Sequence, residues 1–72
     1  MAITFTNHAL QKMSERGIAK EDVEMALRHP IGAPGPGQPG TVVVQGHAPG
    51  GRILKVCVPT VDHDVVVTTY WA

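Results

Sequence analysis

The sequence predicts an α+β fold: two N-terminal helices packed on a three- or four-stranded antiparallel sheet, in the order β-α-α-β-β-β with a weak first strand. Three observations predict it. Two stretches, 6–17 and 19–30, carry helical apolar spacing between start and stop signals. Three later stretches, 41–46, 52–60 and 65–71, are rich in valine, threonine and isoleucine and read as strands. The connections at 47–51 and 61–64 are short, and short connections join antiparallel neighbours.

The weak strand is "AITFT", residues 2–6, which alternates poorly. "TNHALQKMSERG" follows as a helix. Thr6 or Asn7 can cap it with a side-chain oxygen, and Gly17 stands where a left-handed C-terminal cap belongs. Ile18, just beyond, is placed to fold back onto the turn of Met13 and Ser14. "AKEDVEMALRHP" is the second helix. Glu21 and Asp22 load its first turn, Arg28 and His29 its last, and both suit the helix dipole. Val23, Ala26 and Leu27 form its apolar stripe, and Pro30 stops it. Ala19 is a weak cap.

"PIGAPGPGQPG", residues 30–40, reads as a mobile loop. With 72 residues in all, the chain forms a single domain, 1–72, with a modest core that only Val, Leu, Ile and Met can supply in quantity. So small a core makes a homodimer or a protein partner an open expectation.

Six basic and six acidic residues balance, which argues against strong binding to nucleic acid through charge alone but leaves room for a local basic patch. Cys57 is the single cysteine, so no intrachain disulfide forms. No apolar run approaches the ~20 residues of a membrane span, and the N-terminus lacks a signal-peptide pattern. The expected location is the cytoplasm, with no membrane partner.

Alternation assigns the sheet faces. Leu54, Val56 and Val58, with Val42, Val44, Val65, Val67, Thr69 and Trp71, belong beneath the helices. Gln45, Lys55, Cys57, Thr68 and Tyr70, among Val43, Ile53 and Val66, belong on the opposite face. A one-residue slip would exchange the two sets.

His8, Lys12 and Arg16 recur every fourth residue and fall at roughly 0°, 40° and 80° on the helix wheel, along the flank of the buried stripe. A metal-independent ribonuclease needs a group to take the 2′-hydroxyl proton, a group to protonate the leaving oxygen, and a cation on the phosphate. Histidine suits the first two because it titrates near neutrality. Lys12 or Arg16 suits the third. The same strip equally fits a solvated flank whose long stems cover the core.

Tyr70 fits sheet packing or base stacking. Lys55, in mid-strand, fits a solvent-facing position or a phosphate contact, and Arg52 fits a hairpin residue or an RNA contact. Asp62-His63-Asp64 lies in one turn without metal-ligand spacing, so no metal and no other cofactor is expected.

The ordered pattern "TNHALQKMSERGI…DVEMALRHP", the Gly/Pro-rich gap and "GRILKVCV…VVVTTYW" resembles a bacterial family of small domains of unknown function. That family carries a His-Ala…Arg-Gly-Ile signature and is distantly RelE-like, within the barnase–EndoU–colicin–RelE group of ribonuclease folds. The resemblance implies the same β-α-α-β-β-β layout. His8 matches the family's helical histidine, and Arg16 its arginine before glycine. Lys12 stands where arginine is more usual, which keeps the charge but loses the bidentate fork. Tyr70 lies on the last strand, where RelE-type toxins place functional side chains.

Two functional readings follow. In the first, the chain is a RelE-like, toxin-type ribonuclease or a degenerate relative. His8, Lys12, Arg16 and Tyr70 serve the chemistry, Lys55 and Arg52 contact RNA, and an antitoxin is the partner. In the second, it is a non-catalytic interaction module or homodimer that uses the open, half-apolar sheet face.

Overall fold

The computed structural model describes residues 3–72. Thr6 starts helix α1, Asn7–Arg16: its Oγ1 accepts the Ala9 N–H at 3.1 Å. Gly17 ends the helix in the left-handed region, at φ 66° and ψ 39°, which glycine reaches without a Cβ clash. The Gly17 and Ile18 N–H groups both bond the Met13 carbonyl, and Ile18 folds back into the core. Helix α2, Lys20–Arg28, has no side-chain cap at Ala19 and carries Glu21 and Asp22 in its first turn.

The strands are β1 (Thr4–Phe5), β2 (Gly35–Pro36), β3 (Thr41–His47), β4 (Ile53–Pro59), β5 (Val65–Val66) and β6 (Thr68–Trp71). A four-stranded antiparallel sheet has the order β2-β3-β4-β6. The α+β arrangement of helices followed by an antiparallel sheet is therefore present. Three details differ from the sequence expectation.

The weak first strand covers only two residues and pairs in parallel with β5, outside the main sheet. Ala2, at its expected start, lies outside the described residues. The stretch 30–40 is not only loop. Gly35 and Pro36 pair with Val43 and Val42, and the Thr41 N–H closes a turn on the Gln38 carbonyl at 2.9 Å. Pro39 and Gly40, the latter at φ 83°, occupy the two central positions that a type II turn assigns to proline and glycine.

The third difference is in the last strand. The Val67 N–H donates to the Cys57 carbonyl, while Cys57 also faces Thr68 in the ladder. Two residues thus oppose one, which is a β-bulge. The bulge shifts the alternation by one residue, so Val66 is buried whereas Val65 and Val67 are only half-buried. Beyond it, Thr69 and Trp71 face the helices and Thr68 and Tyr70 face away, as alternation predicts.

The helices cover one face of the sheet: α2 lies on β3 and β4, and α1 on β6. Leu54, Val23, Val56, Val58 and Val66 are fully buried. Each such side chain contributes about 1.5–3 kcal/mol relative to exposure. Helix α2 and strand β3 approach closely at Gly46, where an added Cβ would run into the Ala26 Cα and Cβ. Thr69, buried among these residues, satisfies its hydroxyl by donating to the Lys55 carbonyl at 2.9 Å. No helix in the described residues is long and apolar enough to cross a membrane.

Candidate functional site

The sheet face away from the helices carries cross-strand rows set by the register. Val43, Cys57 and Thr68 form one row, and Gln45, Lys55 and Tyr70 the next. A cleft of about 260 Å³ opens over the first row. Pro36, Gly37 and Gln38 wall it on the β2 side, and His8 and Tyr70 border it on the β6 side. Cys57 is only 7% exposed although no helix covers this face, because the cleft walls surround it.

His8 reaches the cleft because α1 packs along β6 and begins beside the bulge. Thr6, which caps the helix, also donates its hydroxyl to the Val67 carbonyl at 3.1 Å. That bond ties the helix start to the sheet edge, and His8 stands in the first turn. This turn holds no acidic residue. The partial positive charge of the helix N-terminus, about half an elementary charge, is therefore not offset within it. The imidazole, the Tyr70 phenol and the hydroxyls of Thr41 and Thr68 give the cleft proton donors and acceptors around an apolar base of Val43 and Val67.

The other predicted site residues lie elsewhere. Lys12 Nζ pairs with Glu15 Oε1 at 3.3 Å on the outer surface of α1. Hydrogen bonds from Lys12 and then Gln11 hold the Glu15 carboxyl below its ordinary range. Arg16 donates from Nη1 to the Thr69 carbonyl at 2.8 Å. Arg52 stacks on the Trp71 ring with its guanidinium carbon 3.6 Å from the centroid. Lys55 is the cross-strand neighbour of Tyr70 on the open face, next to the cleft rather than lining it. His8 and Tyr70 are thus brought together, with Lys55 beside them, while Lys12, Arg16 and Arg52 form a separate flank.

Sequence reading missed the wall formed by Pro36, Gly37 and Gln38. The signal was present in "QPGT", a proline–glycine turn that folds the segment back on Val42 and Val43. Alternation places Cys57 in mid-strand on the open face, and its place at the base of a cleft depends on walls drawn from distant segments. A second cleft, of about 360 Å³, is lined by Ile3, Leu27, Arg28 and Asp64 and holds none of the predicted residues. Among the described residues, no three His, Cys, Asp or Glu side chains come together as a metal site.

No curated protein and no solved structure matches the chain. A family model described as a domain of unknown function (DUF4258) does match, over residues 5–71, a span that takes in both helices and the whole cleft lining, and the chain belongs to that family.

Proposed function

We propose that this protein is a RelE-like domain that binds single-stranded RNA in the cleft and cleaves it without a metal ion, with His8 and Tyr70 as its catalytic residues. The observation that carries this reading is their convergence, from opposite ends of the chain, on one cleft of the open sheet face. His8 takes the proton of a ribose 2′-hydroxyl as that oxygen bonds to the adjacent phosphorus. The bond from phosphorus to the 5′ oxygen breaks, and the Tyr70 phenol gives that oxygen a proton. The products are a 2′,3′-cyclic phosphate and a 5′-hydroxyl end, and solvent restores both side chains. The Tyr70 hydroxyl can donate as well as accept, which the donor role requires. The start of α1, together with Lys55 beside Tyr70, favours the phosphate.

Cleavage of a labelled single-stranded RNA in EDTA tests this. Wild type should cut, and folded His8→Ala and Tyr70→Phe proteins should each lose about 100-fold, the scale of general acid–base catalysis. Equal cutting by all three proteins defeats the assignment. If the protein is a toxin, its antitoxin must cover this cleft.

A second reading has an observation of its own. The open face also carries half-buried Val43 and Ile53 beside Lys55 and Tyr70, a mixed surface suited to a protein partner or a second copy. A protein that shows no cleavage and a concentration-dependent dimer in sedimentation would favour this module.

A further inference from the structure

We infer that the outer flank formed by α1 and the β4–β6 end of the sheet is a phosphate track, over which single-stranded RNA runs from the cleft across Lys12, Arg16 and Arg52. This rests on the proposed RNA reading and extends it to the strand outside the cleft.

The chain has no net charge, but its charges are segregated in space. Lys12, Arg16, Arg52 and Lys55 lie on α1 and on β4 or its leading turn, accompanied only by Glu15. Glu21, Asp22, Glu24, Asp62 and Asp64 lie on α2 and in the turn before β5, accompanied by Lys20 and Arg28. The two groups carry net charges of +3 and −3. They are also apart in the fold. Arg28 and Asp64 meet at the second cleft, whereas Arg16 and Arg52 meet around Trp71. A surface that is basic on one side and acidic on the other orients a polyanion even when the total charge is zero.

Trp71 organises the basic side. Its Nε1 donates to the Arg16 carbonyl at 2.9 Å, and Arg52 stacks on its ring. Stacking occupies the face of a guanidinium and leaves its in-plane N–H groups able to donate to phosphate oxygens. Arg16 spends Nη1 on the Thr69 carbonyl, and its side chain remains exposed. Among the described residues Lys12 is held by the surface pair with Glu15, an interaction that contributes little and that a phosphate readily replaces. His8, Lys12 and Arg16 are spaced along about 12 Å of helix. The row therefore begins at the cleft and ends at the Trp71 pair.

The test is the salt dependence of binding, measured with a fluorescent single-stranded RNA twelve nucleotides long. Each phosphate neutralised on a single strand contributes about 0.7 to the slope of log affinity against log salt. The double variant Lys12→Gln/Arg52→Gln should lower that slope by about 1.4, whereas Lys20→Gln/Arg28→Gln on the acidic side should leave it unchanged. Glu15→Gln should tighten binding two- to threefold at low salt, a gain that loss of folding cannot produce. Equal slopes for the two double variants overturn the track, as does equal competition by a poly-glutamate peptide of matched charge. The two readings fail separately. RNA cleavage that depends on His8 but with an unchanged slope sinks only the track. A reduced slope without any cleavage sinks only the catalytic cleft, and absence of RNA binding sinks both.

Discussion

Arg16 and Thr69 are joined at the rim of the sheet, where the guanidinium donates to the backbone carbonyl at 2.8 Å. β6 is an edge strand, and such strands expose carbonyls that template pairing with other chains. Here the Val67 carbonyl accepts from Thr6 and the Thr69 carbonyl from Arg16, so α1 covers the edge with side chains from both of its ends. Arg16→Ala should therefore lower stability by about 1–2 kcal/mol in urea denaturation, with Arg16→Lys recovering part of it. Full stability of Arg16→Ala would mean that the edge does not depend on this bond. Any loss of RNA cleavage in Arg16→Ala must be measured well below its melting temperature, because Arg16 holds the strand that carries Tyr70.

Gly46 and Ala26 fix the distance between α2 and β3. Adding a methyl group at Gly46 drives it into the Ala26 backbone and side chain, and neither can rotate away. Gly46→Ala should cost about 3 kcal/mol, the upper part of the overpacking range. Cutting back the facing residue, in Gly46→Ala/Ala26→Gly, should recover a fraction only, because the Ala26 Cα also lies in the path. Thermal melts of the three proteins decide the matter. A neutral Gly46→Ala would show that the layers slide apart freely.

Much of this fold is legible in the sequence because local signals and burial agree. Thr6, Gly17 and Pro30 punctuate the helices where caps and breakers belong, and Leu54, Val56 and Val58 alternate cleanly in the central strand. What fails locally is decided at longer range. The Val67 bulge has no sequence marker, since three consecutive valines satisfy either alternation. It exists because the last strand serves two partners, β1 before the bulge and β4 after it. Of the candidate site, the residue types His8 and Tyr70 were visible, but their meeting was not. Helical spacing groups His8 with Lys12 and Arg16, whereas packing against β6 turns the first residue to the cleft and the other two to the outer flank.

Glu15 makes stability depend weakly on acid. Hydrogen bonds from Lys12 and Gln11 hold its folded carboxyl below the ordinary carboxylate range. A depressed carboxyl contributes stability that is present above the unfolded value and lost as pH falls through the folded one. Wild type should therefore exceed Glu15→Gln slightly at neutral pH. The difference should shrink as pH falls through the range in which the unfolded and then the folded carboxyl take up a proton, and vanish once both are uncharged. Melting temperatures of the two proteins between pH 7 and pH 2.5 check this, and an advantage that grows in acid would reverse the assigned sign.

Thr6 links the integrity of the fold to the cleft. Its Oγ1 accepts from the Ala9 N–H and donates to the Val67 carbonyl, so one hydroxyl caps α1 and fastens it to the bulge. His8 lies two residues further on, inside the turn that this hydroxyl closes. Thr6→Val keeps the shape but removes both bonds, and should cost about 1–2 kcal/mol. Thr6→Ser keeps the hydroxyl and should stay within about 0.5 kcal/mol of wild type, because serine caps at least as well as threonine. If the cap sets the position of the imidazole, RNA cleavage should fall in Thr6→Val at temperatures where it remains folded and return in Thr6→Ser. Cleavage that follows only the folded fraction would reduce Thr6 to a stabilising residue. Valine replaces only the hydroxyl of threonine with a methyl group, and serine removes only its methyl group, so the pair separates the oxygen that joins helix to sheet from the side chain's apolar bulk.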